Sequence, residues 1–166
     1  MSSKLQRMYR LSLLACMLIG GLVLSESAEA AVSSDELKAV YLYRIANFIY
    51  WNEPPLEPNL LFCVIDNSNI YQALEQVATT VTSIRLGSET SEQCDIAYFD
   101  NEADFSNLTD RTVTIGSHGV FLQQGGAIAL PLKNGAIRPK VNLDNLGDYT
   151  ISSQLLRISD IEGGRK

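Results

Sequence analysis

Apolar and polar positions along the chain fall into runs that predict an ordered succession of helices and strands, and the first run is the most distinctive. Residues 35–51, DELKAVYLYRIANFIYW, predict one long helix. Ser33 with Glu36 three residues later has the spacing of a capping box, and Asp35 and Glu36 put negative charge at the positive end of the helix dipole. At about 100° per residue, Leu37, Tyr41, Ile45 and Phe48 share one stripe, with Leu42 and Ile49 beside it. The other side carries Ala39, Val40, Tyr43, Ala46, Tyr50 and Trp51, which leaves Lys38, Arg44 and Asn47 as the clearly polar positions. A helix apolar nearly all round is either buried on both sides or keeps part of its surface for another chain.

Pro54 and Pro55 stop this run, since neither continues a helix. The apolar stretch 60–65, closed by Asp66-Asn67-Ser68, predicts a central strand followed by helix-capping residues. Ile70, Leu74 and Val77 then recur at helical spacing. Strands are expected over residues 81–86, 94–99 and 112–115, with Phe105 and Leu108 on a short intervening element. Gly116-Ser117-His118-Gly119 falls at the carboxyl end of a strand, where open α/β sheets place ligands, but a tight turn into a short helix over 120–123 is the preferred reading. Asn134-Gly135 predicts a hairpin joining a strand over 127–130 to one over 137–141, in which Pro139 marks an edge. Residues 142–146 read as a turn or short helix. Ser152 reads as the N-cap of a helix with Leu155, Leu156 and Ile158 near one face, and residues 163–166 as a frayed tail. The expected fold is a single α/β domain with a mostly parallel central sheet flanked by helices and a C-terminal hairpin.

The opening 30 residues change the picture of where this fold works. Lys4, Arg7 and Arg10 precede an apolar run over 11–24 and the small-residue site Ala28-Glu29-Ala30, the pattern of a secretory signal cleaved after Ala30. The run is shorter than the ~20 residues a membrane span requires. Leu14-Ala15-Cys16 is a weaker match to a lipoprotein box, because the apolar run continues past it. The expected organisation is thus a signal over 1–30 and one domain over 31–166, a length that suits one core. Removing three basic and two acidic residues with the signal takes the formal charge from −6 to −7. No basic patch remains to attract nucleic acid. Cys63 and Cys94 are left as an even pair in a compartment that permits disulfides, so a bridge closing a 31-residue loop is favoured over two buried thiols. Such a bridge stabilises by about 3–4 kcal/mol on the chain-entropy account.

Candidate chemistry is sparse. His118 is the one histidine, so a metal site or a serine or cysteine nucleophile would have to be built around it. Ser117 is adjacent to it, but neighbours rarely point together, and no orienting carboxylate is close in sequence. Asp95, Asp100, Glu102 and Asp104 form an acidic group without EF-hand spacing, best read as a solvated loop face. No catalytic residue, metal or cofactor is assigned.

Several stretches together resemble one known family. Residues 38–51 resemble the opening helix of the YfiR family, Phe62-Cys63-Val64-Ile65 its first strand and Cys94-Asp95-Ile96-Ala97 its later cysteine-bearing strand. Gly125-Gly126-Ala127-Ile128, Val141-Asn142-Leu143 and residues 151–157 resemble its C-terminal signature. The resemblance implies a periplasmic, dimer-forming α/β repressor, not an enzyme. Such a protein binds the periplasmic sensor domain of an inner-membrane diguanylate cyclase, restrains cyclic-di-GMP synthesis, and can be sequestered by an outer-membrane lipoprotein. It also implies that the C-terminal helix packs beside the first, so that Tyr43, Arg44, Asn47 and Tyr50 join Gln154 and Arg157 in one partner-binding surface. Two departures bear on the partner. The chain lacks the further cysteine pair common in the family, and Arg138-Pro139-Lys140 stands where an aromatic is usual. A small-molecule-binding protein, or an accessory to a sensor kinase or another receptor, is the alternative.

Overall fold

The computed structural model describes residues 32–164, apart from Leu56 and Thr82. The signal and its cleavage site therefore lie outside the described residues. Helix α1 spans Ser34–Ala46. The capping box forms as expected: Ser33 Oγ accepts from Glu36 N–H at 3.1 Å, and Ser33 N–H donates to Glu36 Oε2 at 2.7 Å. The helix ends earlier than its pattern predicts. After the C-cap Asn47 the chain turns into strand β1, Ile49–Trp51, which pairs antiparallel with β10, Tyr149–Ile151. β-Branched and aromatic residues favour a pleated surface, and once pairing is available Ile49 points inward while Tyr50 points to solvent. Trp51 Nε1 donates to Arg111 O at 3.0 Å, fixing the strand from its far end.

The central sheet has seven strands. β2 (Leu60–Ile65) lies beside β3 (Ile84–Gly87) on one flank and β4 (Ile96–Phe99) on the other. Then come β5 (Val113–Gly116) and β6 (Ile128–Ala129), all parallel. Helix α2, Ser68–Thr80, makes the crossover from β2 to β3. It is capped by Asn67, whose side chain accepts from Ile70 N–H, and it runs far enough to push the start of β3 from the expected residue 81 to Ile84. Phe105 and Leu108 sit on an irregular segment rather than a regular element.

The expected hairpin forms, with Ile128 opposite Val141 and Leu132 opposite Ile137. It is broken in its middle by Pro131 and Pro139. A short ribbon of β7 (Leu132–Lys133) and β8 (Ala136–Ile137) therefore stands apart from β6 and β9 (Lys140–Asn142). Asn134 and Gly135 both have positive φ, 53° and 75°, as a two-residue turn of the I′ kind requires. Pro139 does not mark an edge. It ends just before β9, and its carbonyl accepts from Asp160 N–H, so β11 (Asp160–Glu162) adds to β9 as a further parallel strand. The expected tail is tied down as far as it is described: Gly164 N–H donates to Asp144 Oδ1 at 3.0 Å.

Each residue of β4 is buried, alternating between two faces. Ile96 and Tyr98 join the large core with α1, α2, β10 and Leu155 of helix α3 (Ser153–Ile158), which Ser152 caps as predicted. Ala97 and Phe99 join a smaller cluster with Phe121, closed by Ile65, Ala103, Phe105 and Leu108. The fold is α/β with a mostly parallel sheet. Helices cover one face, and an irregular segment with the 3-10 turn Gly119–Gln124 covers the other.

Candidate functional site

Among the parallel strands the order β3-β2-β4-β5-β6 reverses the direction of chain travel between β2 and β4. Open sheets of this kind place ligands outside the carboxyl ends at that point. Here the ends of β4 and β5 are occupied by the protein's own side chains, whereas the carboxyl end of β2 borders an open cavity of about 610 Å³. Lys38, named above only as a polar position of α1, is buried at the ends of β4 and β5, with Nζ donating to Ser117 Oγ at 2.6 Å and 3.7 Å from Asp100 Oδ1. Tyr98 O–H donates to the same Asp100 oxygen at 2.8 Å. Partial burial alone would raise the Asp100 carboxyl. Hydrogen bonds from Tyr98, Asn67 and Ser117 and the charge of Lys38 outweigh it and hold the group below its ordinary 3.8. Burial chiefly pushes the Tyr98 phenol up.

This cluster pins α1 to the ends of β4 and β5. Asp100→Asn is expected to cost about 2–4 kcal/mol at neutral pH, because it strands a buried ammonium. The folded carboxyl titrates below its unfolded value, so its contribution is complete above the ordinary carboxylate range. That contribution is lost as pH falls through the lowered folded value. Urea melts should show the gap between wild type and variant closing below about pH 4. A gap that stays constant on acidification would refute the assignment.

His118 is exposed and caps the 3-10 turn without a side-chain hydrogen bond, in keeping with the turn reading of its segment. The acidic group of Asp95, Asp100, Glu102 and Asp104 is dispersed. Asp95 is buried, accepts from Leu61 N–H at 2.9 Å and pairs with Arg111 at 3.3 Å, while Asp100 serves Lys38 and Glu102 and Asp104 face solvent. No set of three metal-ligating side chains converges among the described residues.

The second surface is a groove of about 430 Å³ along α1, with α3 as its other wall. Its geometry follows from which face of α1 is buried. Ala39, Leu42, Ile45 and Ala46 form the buried face, turned away from the predicted stripe because Lys38 finds polar partners inside. Leu37, Tyr41 and Phe48 are left half-buried in the groove, joined by Val40, Arg44, Ile45, Asn47, Leu155 and Ile158. Val40 is 39% and Ile158 56% exposed, large values for apolar side chains that border a concavity. Of the partner-binding residues expected above, Arg44 and Asn47 line the groove. Asn47 also donates from Nδ2 to Tyr43 O at 3.4 Å, finishing the helix. Tyr43 packs partly against the core, Tyr50 is exposed on β1, and Gln154 and Arg157 are exposed on α3 without lining the groove. Val40 and Ile158 were named in the sequence as apolar helix positions but not among the partner-binding residues. Their signal was an apolar residue on a helix face that also carries arginine.

Cys63 of β2 and Cys94 are joined in a disulfide with Cα atoms 5.9 Å apart, both buried. No helix among the described residues is long and apolar enough to cross a membrane. These features define an α/β domain whose first helix is tied by buried polar side chains to the ends of β4 and β5 and whose open, helix-walled groove is apolar. The chain belongs to the YfiR/HmsC-like family, whose profile matches residues 35–160, from the first turn of α1 to the first residue of β11. Membership points to a periplasmic regulator of diguanylate cyclase signalling, and the family is regulatory rather than catalytic. No curated protein matches the chain.

Proposed function

We propose that the protein is a non-catalytic periplasmic regulator that binds the sensor domain of an inner-membrane diguanylate cyclase and represses it, lowering cyclic-di-GMP. In this reading the signal over residues 1–30 is cleaved after Ala30 and the domain over 31–166 acts in the periplasm. It acts as a homodimer, and an outer-membrane lipoprotein competes for it. The observation that carries the reading is the apolar groove of α1 and α3, which lies within the family match and exposes Val40 and Ile158. Isolated exposed apolar residues need no explanation, but apolar residues gathered on the walls of one groove mark a contact surface. Arg44 on the wall and Arg157 beside it supply fork-shaped donors of the kind enriched at interface anchors, and Tyr43, Asn47, Tyr50 and Gln154 extend the surface around them.

The test is capture of partners by the purified exported protein from detergent-solubilised inner membranes, followed by titration against the periplasmic domain of what is recovered. Recovery of a diguanylate cyclase whose isolated periplasmic domain binds the protein is the expected result. A sensor kinase recovered in its place would overturn the cyclase as target.

A further inference from the structure

We infer that the groove between α1 and α3 receives an amphipathic helix of the partner. Its apolar side enters the groove, and carboxylates at its border meet Arg44 and Arg157. The inference rests on the proposed function for the existence of a protein partner and adds the chemistry of the docking segment.

The shape of the site selects a helix. Both walls are helices, whose backbone donors and acceptors are spent internally, so an extended peptide would find no free row of N–H and C=O groups to pair with. Contact must come from side chains. The wall of α1 from Leu37 to Asn47 runs about 15 Å at 1.5 Å per residue, the length of roughly three helical turns in a docked segment. Leu37, Val40, Tyr41, Phe48, Leu155 and Ile158 supply an apolar floor and rim for residues at i, i+3, i+4 and i+7.

Charge selects the polar part of that helix. No acidic side chain lines the groove, although the chain carries a formal charge of −6. The two acids of the first turn of α1 are engaged elsewhere, Glu36 with Ser33 N–H and Asp35 with Asn69 Nδ2. Arg44, which lines the groove, and Arg157, next to Ile158, make no salt bridge among the described residues. Two unpaired guanidinium groups at an apolar groove on an acidic protein are complementary to carboxylates flanking an apolar stripe. A second copy of this chain does not offer that face from its other long helix. α2 keeps Ile70 and Leu74 buried and exposes Gln72, Glu75 and Gln76.

The experiment is selection of helical peptides from a displayed library against the purified exported protein. Binding of the selected synthetic peptides is then measured to wild type, Val40→Asp and Arg44→Glu. Val40 and Arg44 are exposed, so both variants should keep the wild-type circular dichroism and melting temperature. Selected peptides should carry an apolar i, i+3, i+4, i+7 stripe flanked by Asp or Glu, and lose about tenfold or more in affinity against each variant. Peptides that are neutral, basic or extended, or whose affinity neither variant changes, would overturn the inference. So would sedimentation showing that Val40→Asp splits a dimer, because the groove would then belong to a second copy. The same variants titrated against a captured cyclase domain separate the two claims. Unchanged cyclase binding would refute the groove and leave the regulator standing, whereas a selected peptide without any cyclase partner would do the reverse.

Discussion

Cys63→Ser is expected to lower the free energy of unfolding by about 2–5 kcal/mol. The bridge joins β2 to the lead-in of its neighbour β4 and closes a separation of 31 residues, so its loss frees a long loop in the unfolded chain. Both cysteines are buried, so the serine hydroxyl also replaces a sulfur shielded from water. Denaturant titration should put the variant and the reduced wild-type protein at similar, lowered midpoints. Wild type that is equally stable with and without reductant would contradict the bridge, as would free alkylation of both thiols in the native exported protein.

Phe121→Ala should be nearly as damaging, at about 3–5 kcal/mol. Phe121, on the 3-10 turn, holds together the smaller cluster on the face of the sheet opposite α1 and α2. Its ring centroid is 5.8 Å from Phe99 and 5.7 Å from Phe105, and Phe99 meets Phe105 edge-on at 5.4 Å. The ring lies against two glycines, and a Cβ on either Gly116 or Gly126 would run into it. Gly126→Ala should therefore destabilise by about 1–3 kcal/mol in the wild-type background and far less beside Phe121→Ala. Strictly additive costs in the double mutant would show that the glycine is small for another reason.

Local chemistry was legible in the sequence wherever one segment decides its own shape. Ser33 with Glu36, Ser152 before α3, the apolar run of β2 and the Asn134-Gly135 turn all formed where their patterns placed them. What failed to show was decided by distant partners. Lys38 reads as a surface residue until Ser117 and Asp100, brought together by β5 and β4, give its ammonium a buried place. That placement decides which side of α1 enters the core. Ile49, Tyr50 and Trp51 continue a helical pattern in sequence, yet they leave the helix because β10 supplies a strand to pair with. β11 has almost no apolar pattern of its own and exists because β9 has a free edge, reinforced by the Arg138–Asp160 and Lys140–Glu162 pairs.

The candidate surface shows the same division. Arg44 and Asn47 were legible as polar interruptions of an apolar helix, and they line the groove. Val40 and Ile158 stand out only when α1 and α3, far apart in sequence, face one another. Gln154 and Arg157, expected from the sequence resemblance, lie on α3 outside the groove, which is lined by their neighbours Leu155 and Ile158.

The proposed repression of a cyclase is tested most directly by cyclic-di-GMP in the living cell. Deleting the gene should raise the nucleotide, and restoring the wild-type protein to the periplasm should lower it again. An unchanged or lower level on deletion would contradict the account.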